Sequence, residues 1–177
     1  RRTAMAKKLL LAFAAIMAVS MLVLATTTKP NFSGTWNLDR ARSFGMPADM
    51  TQVLTITQKD DQIEIETKII QPNNERTIKD TFVLDGKEHE FTPPAPPAQP
   101  NQPAPPAPAK GKRTATWLPG DTGIIVTDVT MVKTQNGEAT NQNVRKWVIN
   151  AAGELVVDTF VDGPRGSFEA KRIFKKQ

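Results

Sequence analysis

His89 is the single histidine of a 177-residue chain without cysteine. One imidazole with no thiolate cannot build the usual multi-histidine or Cys/His metal site. It lies in Lys87-Glu88-His89-Glu90, beside a turn, and reads as a solvated edge residue. A serine nucleophile would need that ring as its base and an acid to orient it. No Gly-x-Ser-x-Gly accompanies it. No glycine loop follows a strand and opens a helix, so nucleotide binding is rejected and no cofactor is expected. Side chains for general acid–base work are nearly absent, so the chain is not expected to be an enzyme. Asp60, Asp61, Glu64 and Glu66 fall in turns or on outward strand positions. Asp128 and Asp158 differ, because they interrupt apolar strands. Either could point into a cavity, where a carboxylate must find a partner, and Arg145 is the candidate. The other reading is a strand parity that faces water. Trp117 and Trp147 likewise read either as cavity lining or as core.

The elements that must position these residues are strands. From Thr51 onward, short alternating runs are broken by turn residues, the period-2 signal of half-buried β-structure. The runs are 53–58, 62–70, 76–84, 112–118, 123–134, 143–149, 154–161 and 167–175, with 32–38 in front. In 62–70, Ile63, Ile65, Thr67 and Ile69 share one face and Glu64, Glu66 and Lys68 the other. Asp85-Gly86 and Asn136-Gly137 between alternating runs signal hairpins, because such turns need φ > 0. Residues 39–50 hold at most one turn of helix. About eight to ten sequential strands with short turns predict an antiparallel meander. Closing it into an up-and-down barrel removes the exposed edges and leaves room for one small ligand.

Two segments stand outside this grammar. Lys7 and Lys8 precede an apolar run from Leu9 to Ala25, and Val23 and Ala25 are small residues before a cut at Thr26. Starting from Met5, this is the pattern of a secretory signal over residues 1–25. The remainder, 26–177, is expected to be one exported domain, periplasmic or extracellular, with no membrane span after cleavage. Four of the 23 basic residues lie in the signal, so the rest nearly balances the 18 acidic ones. The formal net charge of +5 therefore gives little support for nucleic-acid binding, which needs a basic face with interleaved aromatics. Lys171, Arg172, Lys175 and Lys176, interspersed with Ile173 and Phe174, read instead as a strand with a solvated face. The second anomaly is the Pro-rich stretch, which interrupts the barrel at 93–110 and reads as a disordered or polyproline II loop. It is either a docking arm for an envelope or protein partner or a tolerated insertion.

The stretch Phe32-Ser33-Gly34-Thr35-Trp36-Asn37-Leu38, followed by Arg40-Ala41-Arg42-Ser43, carries a resemblance. So do Leu54-Thr55-Ile56-Thr57-Gln58, Asp85-Gly86-Lys87-Glu88 and Thr116-Trp117-Leu118-Pro119-Gly120-Asp121. Together they resemble lipocalin-like (calycin-type) β-barrels, in particular small exported bacterial domains of that kind. The resemblance implies that Gly34 and Trp36 lie at the closed end of the barrel. It also implies that an arginine of the last strand, Arg172, packs across the indole and ties first strand to last, a contact worth about 0.5–2 kcal/mol. A Thr-Asp-Tyr turn expected of lipocalins is absent, since the chain has no tyrosine.

The leading expectation is a lipocalin-like barrel that binds a small hydrophobic ligand inside. Parity points to Ile63, Ile65, Phe82, Val126, Trp147 and Val157 as its lining. The competing expectation is a packed barrel that serves as an envelope interaction module through the Pro-rich loop. An apolar cavity above roughly 300 Å³ favours the carrier, and a filled interior the module.

Overall fold

The computed structural model describes residues 28–95, 109–135 and 137–177. The signal assigned to 1–25, most of the Pro-rich stretch and Asn136 lie outside the described residues. Ten strands form one sheet: β1 (Gly34–Leu38), β2 (Thr51–Lys59), β3 (Gln62–Gln71), β4 (Asn74–Val83), β5 (Glu88–Phe91), β6 (Gly111–Trp117), β7 (Ile124–Thr134), β8 (Gly137–Ile149), β9 (Leu155–Gly163) and β10 (Gly166–Lys176). Their order is β4-β3-β2-β1-β10-β9-β8-β7-β6-β5, antiparallel throughout. The sheet curls into an up-and-down barrel, with first and last strands joined at its middle and β4 and β5 as its two margins.

Alternation explains the curl. In β3, Ile63, Ile65 and Ile69 are buried while Glu64 and Glu66 are exposed. Across the ladder Ile56 of β2 faces Ile65, and Phe82 of β4 faces Ile63. The inward faces of every strand but β5 meet in one apolar core at the end where β1 begins and β10 finishes. Phe32, Trp36, Ile124, Leu155 and Phe174 are there at most 1% exposed. Each side chain so buried stabilises by about 1.5–3 kcal/mol. Phe32 plugs this end. Its N–H donates to Gln58 Oε1 (2.9 Å), and its carbonyl accepts from Trp36 Nε1 (2.8 Å).

The closure differs from expectation in its cation. Trp36 lies opposite Lys176, whose Nζ stands 5.3 Å from the indole centroid. Arg172 lies opposite Val157, four residues earlier on β10, roughly 13 Å along the strand. The register therefore gives the cation–π contact to Lys176 and sends Arg172 into the barrel instead of to a solvated face. Gly34, at φ +129°, passes so close that a Cβ would stand 2.7 Å from Lys176 Cε.

Asp85-Gly86 also departs from expectation. Gly86 has φ +70°, as the turn needs, but β4 and β5 do not pair. The turn is held by other strands: Leu84 N–H donates to Asp61 O (2.7 Å) and Gly86 N–H to Ala115 O (3.0 Å). These bonds steer the chain across the gap between the two margins. β5 itself, Glu-His-Glu-Phe, carries too few apolar residues to announce a strand. Its ladder with β6 forms it, helped by Lys112–Glu88 (2.7 Å) and Lys110–Glu90 (2.8 Å). Residues 39–50 contain one 3-10 turn, Arg40–Arg42. They then run beside β10 through a reciprocal backbone pairing of Phe44 with Lys171.

Candidate functional site

Above the apolar core, at the level where β4 and β6 approach, the inward positions turn polar. Asp80 follows Ile78 and precedes Phe82 on the inner face of β4. Arg113 precedes Ala115 on β6, Asp128 follows Val126 on β7, Arg145 precedes Trp147 on β8, and Arg172 precedes Phe174 on β10. Since side chains alternate along a strand, each shares its face with a buried apolar neighbour. The five charges therefore line one cavity of about 330 Å³. Ile65, Ile69, Ile78, Phe82, Phe91 and Trp147 supply its apolar wall. Nearer the open end, a second cleft of about 1200 Å³ runs along the ends of β7–β10 past Val132, Val161 and Phe168.

The charges form a network. Arg113 and Asp128 face each other across the β6–β7 ladder. The guanidinium donates twice to the carboxylate, Nε to Oδ1 (2.6 Å) and NH2 to Oδ2 (3.1 Å). Arg113 NH1 also crosses to the opposite margin, where Asp80 Oδ1 and the Thr81 carbonyl (3.1 Å) accept from it. Its guanidinium carbon lies 4.9 Å from the Phe82 ring centroid and 4.2 Å from that of Phe91. Arg145 donates to Asp128 Oδ2 and lies 3.7 Å from Asp80 Oδ2. The β4–β5 gap, which has no backbone rungs, is thus riveted by one arginine held between two carboxylates and two phenyl rings.

Arg172 stands apart. No carboxylate pairs with it among the described residues, and its Nε is buried without a hydrogen-bond partner. Arg145 Nε, Trp147 Nε1, Thr159 Oγ1 and Asn143 Oδ1 are also buried and unpartnered. Such groups cost free energy unless something binds them. Burial lowers the Arg172 pKa, and the charge of Arg145 lowers it further. Burial also takes Arg145 below its ordinary value despite Asp128 and Asp80. Arg113 is held above its own, because hydrogen bonds to Asp128 and Asp80 overcome its burial. The unpartnered donors suit an acidic or strongly accepting group, and the adjoining wall suits an apolar body.

The structure places the six residues assigned as lining on the inner face, all buried. Ile65, Phe82 and Trp147 border the cavity, whereas Ile63, Val126 and Val157 pack in the core below it. The cavity lining is not the apolar one expected, because five ionised groups share it. Of the two strand carboxylates, Asp128 points inward and has Arg145 as a partner. Asp158 points out and pairs with Lys171 (3.2 Å). Trp117 stacks on Phe32 at 6.4 Å at the closed end. His89 lies on the margin strand β5, its side chain 42% exposed, 3.0 Å from Asp85. Among the described residues no cluster of three or more His, Asp or Glu side chains suits a metal ion. No helix among them is long and apolar enough to cross a membrane. Asp80, Arg113 and Arg172 are the members that sequence reasoning missed. Parity with Phe82, Ala115 and Phe174 was the signal available for each.

No protein-family pattern matches the chain, and no curated protein is significantly similar to it in sequence. Solved structures do match. The zebrafish ileal bile acid-binding protein complexed with cholic acid superposes with a TM-score of 0.50 at 18% identity, covering 82% of this chain and 98% of that one. A fatty acid transporter, REP1-NXSQ, gives a TM-score of 0.48 at 16% identity, covering 82% and 95%. The former likeness supports the fold, a curled antiparallel barrel.

Proposed function

We propose that this chain is an exported carrier or buffer for a small amphipathic molecule. Its apolar body would lie against Ile69, Phe82 and Trp147, and its acidic group would meet Arg172. The observation that carries the reading is the cavity itself, about 330 Å³, whose lining includes an unpaired guanidinium and the unpartnered donors Arg145 Nε and Trp147 Nε1. Burying a cation without a partner is costly, and a ligand anion would remove that cost. The likeness to a barrel complexed with cholic acid supports the same reading. Export rests on the signal-like segment at 1–25. The alternative, an interaction module acting through the Pro-rich loop, draws less support because the interior is not filled.

The test is uptake of a fluorescent fatty acid by the purified protein, with native mass spectrometry of material from the original host. Saturable uptake that falls at least tenfold in Arg172→Met is expected. No uptake by the wild type, together with no co-purifying lipid, would refute the carrier.

A further inference from the structure

The cavity holds more positive charge than a one-anion site needs, and two aspartates remove the excess. Among its described lining residues the ionised groups are Arg113, Arg145 and Arg172 against Asp80 and Asp128. Without the carboxylates, three guanidiniums would face the ligand, a setting suited to a doubly charged phosphate ester. With them, Arg113 is fully engaged by Asp128, Asp80 and the Thr81 carbonyl. Arg145 is half engaged: NH2 donates to Asp128 while Nε has no partner. Only Arg172 has no carboxylate. One uncompensated positive charge remains.

Resting on the carrier reading above, we propose that Asp80 and Asp128 are specificity-determining residues that limit the site to ligands bearing one negative charge. The electrostatics explain the discrimination. A monoanion at Arg172 brings the buried charges to balance, with each cation near an anion. A dianion adds a negative charge that no free guanidinium answers, in a cavity that also holds the Asp128 carboxylate. A neutral ligand leaves Arg172 unpaired. Buried, unbalanced charge is penalised far more than exposed charge, so the count is read as affinity. Asp128 is the stronger determinant, since it binds two arginines closely, and Asp80, at 3.7 Å from Arg145, the weaker.

Three probes with one decyl chain separate the cases at pH 8.5: decanesulfonate as monoanion, decyl phosphate as dianion and decanol as neutral. Affinities come from displacement of the fluorescent fatty acid or from calorimetry. The wild type is expected to bind the sulfonate at least tenfold more tightly than the phosphate. Asp128→Asn, which keeps shape and an accepting oxygen, should shift that ratio at least tenfold toward the phosphate, and Asp80→Asn should shift it less in the same direction. Equal wild-type affinity for sulfonate and phosphate would overturn the proposal, as would an unchanged ratio in both folded variants. If Asp128→Asn does not fold, the wild-type ratio and Asp80→Asn still decide. Failure of all three probes to bind the wild type would instead remove the carrier reading, and the proposal with it.

Discussion

The two ends of this barrel interior are built on opposite principles. At the closed end Phe32, Trp36, Ile124, Leu155 and Phe174 are packed to the exclusion of water, and Trp36 Nε1 is satisfied by Phe32 O. One level up, the same ten-strand alternation presents arginines and aspartates, with several buried polar atoms unpartnered. Packing supplies the stability of the first region, and nothing there is left for a ligand to do. In the second, groups are held in place by one another and still lack partners. Where a fold keeps unsatisfied polarity, function is the explanation to seek first.

The comparison breaks most sharply at Trp36. Trp36→Ala should cost about 3–5 kcal/mol, because the cavity left in a packed core cannot collapse, and a denaturant midpoint will show it. A cost below about 1 kcal/mol would mean that the closed end is not the stabilising region. In the polar layer, Asp128→Ala should also cost about 3–5 kcal/mol, since it strands Arg113 and Arg145 without their shared carboxylate. There, however, the loss is reversible by chemistry. Replacing Asp128 and Arg145 together with Leu and Met should return part of it, since Arg113 keeps Asp80 and the Thr81 carbonyl, which no second change offers Trp36→Ala. A double variant as unstable as the single one would contradict this view. Arg172→Met should go the other way, raising ligand-free stability by about 1–3 kcal/mol through loss of an unpaired buried cation.

The smallest effect concerns charges on the outer surface. Lys175 and Arg42 hold Asp39 below its ordinary value of 3.8, and Arg42 and Asn150 hold Glu154 below 4.5. A depressed carboxylate pKa contributes stability above the unfolded value, and that contribution disappears as pH falls through the folded one. The difference in melting temperature between wild type and Glu154→Gln should therefore be fully present near pH 6 and shrink below about pH 4. A difference constant down to pH 2.5 would separate Glu154 from this linkage.

Much of the fold was legible because alternation is a local signal. Nine strands and most turns follow from it. β5 was hidden because Glu88-His89-Glu90-Phe91 becomes a strand only through β6. The first half of β8, Gly137-Glu138-Ala139-Thr140-Asn141-Gln142, was hidden because that wall borders the solvated mouth and both faces tolerate polar residues. The site was half legible. The parity that identified Phe82 and Trp147 also holds for Asp80, Arg113 and Arg172, but a charged residue on an inward position is easily taken for an outward one. Register, which moved the Trp36 contact from Arg172 to Lys176, depends on pairing between distant segments. No short window of sequence encodes it.

The pairing of Trp36 with Lys176 also imposes an order in time. A chain made from its N-terminus forms the β2–β3 and β3–β4 hairpins early, yet β1 must wait beside β2 with one flank bare until the final residues emerge. Contacts of such long sequence separation are slow to form. Throughout that interval the indole of Trp36 and the ring of Phe32 lack Phe174, the side chain that completes their burial. The barrel cannot lock until β10 arrives, whatever the order in which the earlier hairpins form.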